Sequence, residues 1–158
     1  MKRLFVISLT LLCLMGCNSG AKGGFSVLQG EKDGRPLFAT IDLSLRSKKP
    51  MNGFPWFLRV STRLHHPTSD GFTTNEEASE LNEWEDLLEK KYLSECRFVY
   101  VGRVTWNGIR ELLFYIDGTD CVEPKLKKLA RETPNRVFEF KCERDEGWHK
   151  VSGYFGDR

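Results

Sequence analysis

The 158-residue sequence has few of the features that the common catalytic and nucleic-acid-binding classes require. It has only three histidines, and its basic and acidic residues are nearly equal in number, with 24 Lys and Arg against 22 Asp and Glu. It lacks Gly-x-Ser-x-Gly, His-Glu-x-x-His and Gly-rich phosphate-binding motifs. Its longest mainly apolar run, residues 4–15, is about half the ~20 residues of a membrane-spanning helix. We therefore predict no catalytic residue, no cofactor, no metal site and no nucleic-acid partner.

The first residues indicate an export signal. Lys2 and Arg3 precede the apolar run, and Gly16 supplies the small residue that a signal peptidase needs before its cleavage point. The ending Leu14-Met15-Gly16-Cys17 resembles the lipobox of bacterial lipoproteins. In that motif the cysteine receives a diacylglyceryl group and becomes the new N-terminus, so Cys17 is the predicted lipid attachment site. The alternative is an ordinary secretory signal whose cysteine is incidental.

This signal divides the chain into three parts. Residues 1–16 are the predicted lipoprotein signal peptide, residues 17–24 a Gly-rich flexible tether, and residues 25–158 a single domain. Loss of Lys2 and Arg3 lowers the basic count from 24 to 22, equal to the acidic count, so the mature chain is neutral. The predicted membrane attachment is through acyl chains, each methylene contributing about 0.8 kcal/mol. Asn18 follows the predicted lipidated cysteine, and Asn at this position resembles lipoproteins that are transferred to the outer membrane. In a Gram-negative cell we therefore expect the domain to be held at the outer membrane and to face the periplasm.

Turn signals and alternating side chains predict the strands. Asp33-Gly34 joins residues 25–29 to residues 37–46, and residues 56–64 form a third strand. Asn107-Gly108 links residues 97–106 to residues 109–116, the strongest hairpin signal of the chain. Residues 136–142 form a last strand.

Capping residues predict two helices. Thr74 and Glu77 form a capping box that opens a helix to about Tyr92, and Asp120 caps a second helix that ends before Pro134. We expect the many acidic side chains of the first helix to form a solvated face.

From residue 56 the order is strand, helix, strand, strand, helix, strand. It predicts an α+β fold of the ferredoxin-like split βαβ type, an antiparallel sheet with two helices on one face, extended by the N-terminal β-hairpin.

Three cysteines of the predicted domain, Cys96, Cys121 and Cys142, would then lie at one end of the sheet. An odd number in an oxidising compartment suggests one bridge and one thiol. Cys121 with Cys142 is the preferred pair, because Cys96 begins a strand at the opposite edge. Three reduced thiols are the open alternative.

The histidines offer a second functional hypothesis. His65, His66, Asp70 and His149 could serve an envelope hydrolase as acid, base or metal ligands. Adjacent histidines point to opposite faces of an extended chain, however, and no spaced set of ligands completes a metal site.

Several segments together resemble one bacterial family. The Asp70-Gly71 turn before the acidic helix, the run from Gly102 to Tyr115 and the closing Asp145-Glu146-Gly147-Trp148 are similar to the domain of unknown function 695 (DUF695). The Gly-x-Arg-Glu-x-x-Phe-Tyr and Asp-x-x-Trp pieces also resemble ribonuclease E regulator B, a cytoplasmic inhibitor. These resemblances imply a related ferredoxin-like fold that binds proteins, and they carry no catalytic residue.

We therefore expect a lipid-anchored binding, accessory or inhibitor module for an envelope protein, with no enzymatic activity of its own. Its expected binding residues are Arg59, Arg63 and Glu111 on the open sheet face, or Trp148 in the aromatic tail.

Overall fold

The computed structural model describes residues 24–156. The predicted signal peptide, residues 17–23 of the predicted tether and the predicted lipid attachment site Cys17 lie outside this range. The described chain is α+β, with a six-stranded antiparallel sheet and two α-helices. The strands are Phe25–Lys32 (β1), Arg35–Asp42 (β2), Trp56–Arg63 (β3), Phe98–Trp106 (β4), Ile109–Ile116 (β5) and Phe138–Arg144 (β6). The α-helices are Asn75–Leu87 (α1) and Thr119–Glu132 (α2). No helix within residues 24–156 has the length and hydropathy to cross a membrane.

The sheet runs in the order β1-β2-β4-β5-β3-β6. Every neighbouring pair is antiparallel. β1 and β6 are the two edges, and β5 lies near the centre.

Both predicted hairpin turns are confirmed. Asp33 and Gly34 have φ of 52° and 74°, and Asn107 and Gly108 have φ of 48° and 74°. Two consecutive residues with positive φ are the requirement of a two-residue type I′ turn, which Asp-Gly and Asn-Gly satisfy at low cost. These turns set the register of β1 on β2 and of β4 on β5.

The predicted strand of residues 37–46 is too long. β2 ends at Asp42, and Leu43–Ser47 forms a 3₁₀-helix. The Asp42 carboxylate accepts a hydrogen bond from the Ser44 N–H at 3.0 Å, which caps this turn. Asp therefore ends the strand because its side chain satisfies a backbone donor that the sheet would otherwise use.

The first helix begins as predicted. The Thr74 hydroxyl accepts the Glu77 N–H at 3.2 Å, and a π-helical turn, Leu88–Tyr92, continues α1 to Tyr92. The predicted cap of the second helix is wrong, because Gly118 is the N-cap of α2 and Asp120 lies in its first turn. An acidic residue in that turn still favours the positive end of the helix dipole.

The sheet separates two hydrophobic cores. On one face α1 and α2 cover β-strand residues such as Leu58, Leu112 and Phe114. On the other face the C-terminal 3₁₀-helix, His149–Phe155, covers residues such as Phe57, Leu113 and Tyr115 together with Trp148. Since both faces of the sheet are covered, β5 is buried along almost its whole length.

One glycine is required by close packing of β4 on β2. Gly102 lies at a register shift between Tyr100 and Gly102 and has φ of 150°. A Cβ at this position would lie 2.2 Å from the Thr40 carbonyl oxygen. A bulge that brings two backbones this close admits only glycine.

The disulfide joins Cys96 to Cys121, with Cα atoms 5.8 Å apart, and Cys142 is a free thiol. The predicted Cys121–Cys142 pair is therefore wrong. Phe98 of β4 pairs directly with Ile116 of β5, so the residues just before β4 and just after β5 are neighbours. Cys142 lies on β6, opposite Leu58 of β3, and β3 separates β6 from β5 in the sheet.

Candidate functional site

Three of the predicted binding residues lie on one face of the sheet. Arg59 and Arg63 of β3 and Glu111 of β5 point away from the helices, since Ser61 between the arginines pairs with Glu111 in register. The Arg59 guanidinium lies 3.5 Å from the Glu111 carboxylate, and the Lys32 ammonium lies 4.0 Å from the same carboxylate. We call Lys32, Arg59, Arg63 and Glu111 the open strip.

The open strip begins where the C-terminal segment stops covering the sheet. Tyr154 packs against the core beside it, and burial together with the nearby Glu111 raises the pKa of Tyr154 to about 12. Beyond Tyr154 the Arg59 side chain remains 41% exposed and Arg63 is exposed. Lys32 also lies over the Trp106 ring, 4.0 Å from its centroid. Glu111 itself is buried, contrary to its predicted place on the binding surface. The solvent-accessible part of the strip is therefore basic, with one aromatic side chain at its border.

Trp148 is not a surface binding residue. It is fully buried, stacks on Tyr115, and its indole Nε1–H donates to the Phe54 carbonyl at 3.1 Å. The prediction that Trp148 presents an aromatic binding surface is therefore wrong. A tryptophan buried with its N–H bonded is a core residue.

Asp145 holds this C-terminal segment in place. Its carboxylate accepts the Tyr115 hydroxyl at 2.5 Å and the backbone N–H groups of His149 and Lys150 at 3.0 and 2.8 Å. Burial alone would raise the pKa of Asp145, but these hydrogen bonds lower it overall. The Asp-x-x-Trp piece is thus a structural clasp between β5 and the C-terminal segment.

The acidic face of α1 is not wholly solvated, contrary to expectation. Glu85 is buried, and it accepts from Arg110 at 2.7 Å and from Arg103 at 2.9 Å. Arg110 is itself buried and also donates to the Thr105 hydroxyl at 2.6 Å. This network ties α1 to β4 and β5 beneath it.

Glu77 is the second buried carboxylate of α1. It accepts the backbone N–H groups of His65 and His66, each at 3.1 Å, and the Arg136 guanidinium at 2.8 Å. Burial alone would raise its pKa, but these hydrogen bonds lower it overall. Arg136 also donates to Glu80 at 3.2 Å.

His65, Glu77 and Glu80 come close enough to resemble a metal site. One ligand atom from each lies within 4.8 Å of the others. Arg136 already forms ion pairs with both carboxylates, and a cation bound there would have to displace it. We therefore assign this cluster to the attachment of α1 to β6 rather than to a metal.

The structure does not assemble the predicted hydrolase residues. His65 and His66 follow the end of β3, whereas His149 is bonded to Asp145, whose N–H donates to Pro55 before the start of β3. The length of β3, about 23 Å at 3.3 Å per residue, separates the two ends. His65, His66 and Asp70 are exposed.

A cleft on the helix side of the sheet was not foreseen from the sequence. It has a volume of about 280 Å³ and lies between α1 and the strands β1, β2 and β4. Phe25, Tyr100, Arg103 and Glu89 are among its lining residues. Burial, followed by the negative charges of Glu85 and Asp86, raises the pKa of Glu89 to about 7. A carboxyl group with a raised pKa in a cleft is a frequent mark of a binding or reactive site.

A family model described as "Family of unknown function (DUF695)" matches residues 26–155. The chain belongs to the DUF695 family. The match extends from β1 through the C-terminal 3₁₀-helix, so the DUF695 domain includes the open strip, the cleft and the Asp145–Trp148 clasp. No curated protein and no solved structure matches the chain.

The sequence of this DUF695 domain did contain a signal for the buried carboxylates. Glu77 and Glu85 lie four residues before and after Leu81, so both fall on the apolar stripe of α1. An acidic residue on such a stripe requires a buried cationic partner. Which arginines supply the charge could be found only from the packing of α1 on the sheet.

Proposed function

We propose that this DUF695 protein is a bacterial envelope lipoprotein that binds a partner protein through its open strip. The observation that carries the proposal is the uncovered basic surface of Lys32, Arg59 and Arg63. It lies on a sheet face that the protein's own C-terminal segment covers in part.

The charges of the strip favour an acidic partner surface. Lys32 and Arg59 lie within 4.0 Å of the Glu111 carboxylate, and exposed Arg63 adds a third positive charge on the same face. Complementary potentials favour both the encounter and the register of two proteins. The sheet beneath keeps the side chains in place, which lowers the entropy cost of binding. The module acts by binding, as an accessory or inhibitor of an envelope protein, without a cofactor.

The membrane anchor in this proposal is the acylated Cys17, and residues 17–24 connect it to β1. This segment is rich in glycine. In a Gram-negative cell the domain is held at the outer membrane and faces the periplasm, as the Asn18 position supports.

We also infer that the domain is a ferredoxin-like split βαβ fold with an added N-terminal hairpin. The strand order β6-β3-β5-β4 followed by β2-β1 supports this, as does the packing of both α-helices in the same core. Similarity to ribonuclease E regulator B stays a prediction, and its cytoplasmic role does not transfer to an exported protein.

Site-specific photo-crosslinking in intact cells tests the binding face. A photoreactive residue at Ser61, between the two arginines, should give one crosslinked protein band from the membrane fraction. The same residue at Lys127, on the exposed side of α2, is the control and should give none. Charge reversal by Arg59→Glu with Arg63→Glu should abolish the Ser61 band. A band that appears equally at both positions, or persists after charge reversal, contradicts the proposal.

The anchor has its own test. Intact-mass measurement of the protein extracted from membranes should give a chain that begins at Cys17 and carries acyl groups. A chain that retains residues 1–16 without lipid contradicts the lipoprotein assignment. This result would not test the proposed binding through the open strip.

A further inference from the structure

The two edges of the sheet are protected differently. β6 carries Glu139, Lys141 and Glu143 along its length, and charged side chains are a common device against edge pairing. Residues 25–30 of β1 carry no charge, and Val27 is 66% exposed. Within residues 24–156 no segment pairs with the outer side of β1.

The backbone groups of this edge can be assigned from the register. Lys32 and Arg35 close a two-residue turn, so the even-numbered residues of β1 exchange hydrogen bonds with β2. The Gly24 carbonyl, which accepts the Leu43 N–H at 2.9 Å, follows the same alternation. Val27 and Gln29 therefore direct their N–H and C=O groups to the free edge.

The same residues place their side chains beside the cleft. Phe25 lines the cleft, and Val27 shares its side of β1 because side chains alternate along a strand. Opposite Val27 on β2 is Thr40, which also lines the cleft. A strand added at the edge of β1 would thus have every second side chain directed across Val27 toward the cleft.

The cleft contains one carboxyl group without a bonded partner in the described range, and two aromatic rings. Glu85 is paired with Arg103 and Arg110, and Asp86 with Lys90. Glu89 has neither a hydrogen bond nor an ion pair among the described residues. Phe25 and Tyr100 line the same cleft, with ring centroids 5.9 Å apart. A carboxylate next to aromatic rings is a suitable environment for an ammonium or guanidinium group.

We propose that β1 is a docking edge for an extended segment of a partner protein, which adds as a further strand and places a Lys or Arg side chain in the cleft against Glu89. The unpaired N–H and C=O groups of Val27 and Gln29 bind the partner's backbone, and the stem of the basic side chain covers Val27. The cleft lies on the helix side of the sheet, whereas the side chains of the open strip lie on the opposite face. The two sites are therefore distinct although both include part of β1, and this one does not require the lipid anchor.

The first test uses two matched synthetic peptides and the full chain purified from membranes in detergent. One is a labelled peptide of alternating Lys and Val, and the other has Glu in place of Lys. We expect fluorescence anisotropy to show binding of the Lys peptide only. Hydrogen exchange followed by mass spectrometry should show slower exchange in residues 25–32 when that peptide is bound. Equal binding of both peptides, or no protection of residues 25–32, overturns the proposal.

Variants separate the two parts of the site. Glu89→Gln should weaken binding of the Lys peptide about tenfold, the effect of losing a partly buried charge pair. Glu83→Gln removes an exposed acidic residue that does not line the cleft, and it should leave binding of the Lys peptide unchanged.

Gln29→Pro should abolish binding, because it removes an outward N–H while sparing the β1–β2 ladder, whereas Gln29→Ala should not. Equal losses in Glu83→Gln and Glu89→Gln contradict the proposal even if Gln29→Pro fails to fold.

Two further outcomes name other occupants of the edge. Protection of residues 25–32 that grows with protein concentration, without peptide, indicates a second copy and overturns the proposal. Arg59→Glu with Arg63→Glu should leave peptide binding intact, so that failure of the open strip and failure of this edge are distinguishable.

Discussion

Trp148 stacks on Tyr115 with ring centroids 4.0 Å apart and planes within 4° of parallel. Tyr115 belongs to the central strand β5, whereas Trp148 follows the last strand and has φ of 57°. Asp145 accepts hydrogen bonds from Tyr115 of β5 and from the backbone of His149 and Lys150. Together with the stack, these bonds keep the C-terminal segment on the sheet face opposite the helices. It thereby determines how much of that face remains available as the open strip.

Replacing Trp148 should destabilise the whole domain. Trp148→Ala removes a fully buried aromatic side chain and should lower the free energy of unfolding by about 3–5 kcal/mol. The measurement is urea denaturation of the full chain in detergent, followed by circular dichroism. Val137→Ala is the control, since Val137 is 77% exposed and its loss should cost less than about 0.5 kcal/mol. Similar costs for the two variants would contradict the buried position of Trp148.

Loss of Glu85 should be costly although Glu85 is one of many acidic residues on α1. Glu85→Ala leaves buried Arg110 without its anionic partner and should lower the free energy of unfolding by about 3–5 kcal/mol. The exposed Glu83 makes no hydrogen bond or ion pair among the described residues. Glu83→Ala should therefore change the free energy of unfolding by less than about 0.5 kcal/mol. Both values come from chemical denaturation under one set of conditions. If Glu85→Ala lowered the free energy of unfolding only slightly, Arg110 would be hydrated and not buried.

The disulfide should contribute to stability through Cys96 and Cys121. These residues are separated by 25 positions, and a loop of this length corresponds to about 3.5 kcal/mol in the chain-entropy estimate. Cys96→Ser with Cys121→Ser should therefore lower the urea midpoint and abolish its dependence on reductant. Cys142→Ser should preserve that dependence, because burial raises the pKa of the Cys142 thiol to about 11 and it forms no bridge. A reductant effect that disappears in Cys142→Ser would restore the pairing that the sequence suggested.

Glu89 should make stability depend on pH. Its pKa rises from 4.5 to about 7 in the folded chain because of burial and of its neighbours Glu85 and Asp86, an increase that Lys90 and Arg103 oppose. A carboxyl group whose folded pKa is raised contributes stability that is complete below pH 4.5 and is lost as the pH rises through 7. Glu89→Gln should therefore raise the urea midpoint relative to the unmodified chain at pH 8, and by much less at pH 5.

The control for this pH effect is Glu83→Gln, which should shift neither midpoint. A Glu89→Gln effect of the same size at both pH values would show that the glutamine changes packing and that the carboxyl group does not titrate near neutrality.

Local chemistry made much of the fold accessible from the sequence. Asp33-Gly34 and Asn107-Gly108 determine both two-residue turns because few other residues adopt positive φ twice in succession. Thr74 caps α1 because its hydroxyl satisfies the Glu77 N–H. The strand at Asp42 and the cap of α2 were misplaced, since several polar residues near each boundary could satisfy the same donors.

The candidate sites depended more on packing. Period-two alternation was sufficient to place Arg59, Arg63 and Glu111 on one face. It could not show that Trp148 covers the neighbouring half of that face, or that Glu77 and Glu85 have buried arginine partners 59 and 25 residues away. Those pairings require knowing which element lies over which strand.

The sequence by itself determined the family, through a pattern spread over residues 26–155. It also determined the succession of strands and helices along the chain, the two tight turns and the face that holds the basic residues, because each of these depends on neighbours within a few positions. Only the tertiary structure decided that Cys96 joins Cys121, that Trp148 is internal, and that a cleft with Glu89 opens beside the free edge of β1. The physical reason is that these features arise from contacts between segments far apart in the chain. Strand order and helix placement set such distances, and no local pattern encodes them.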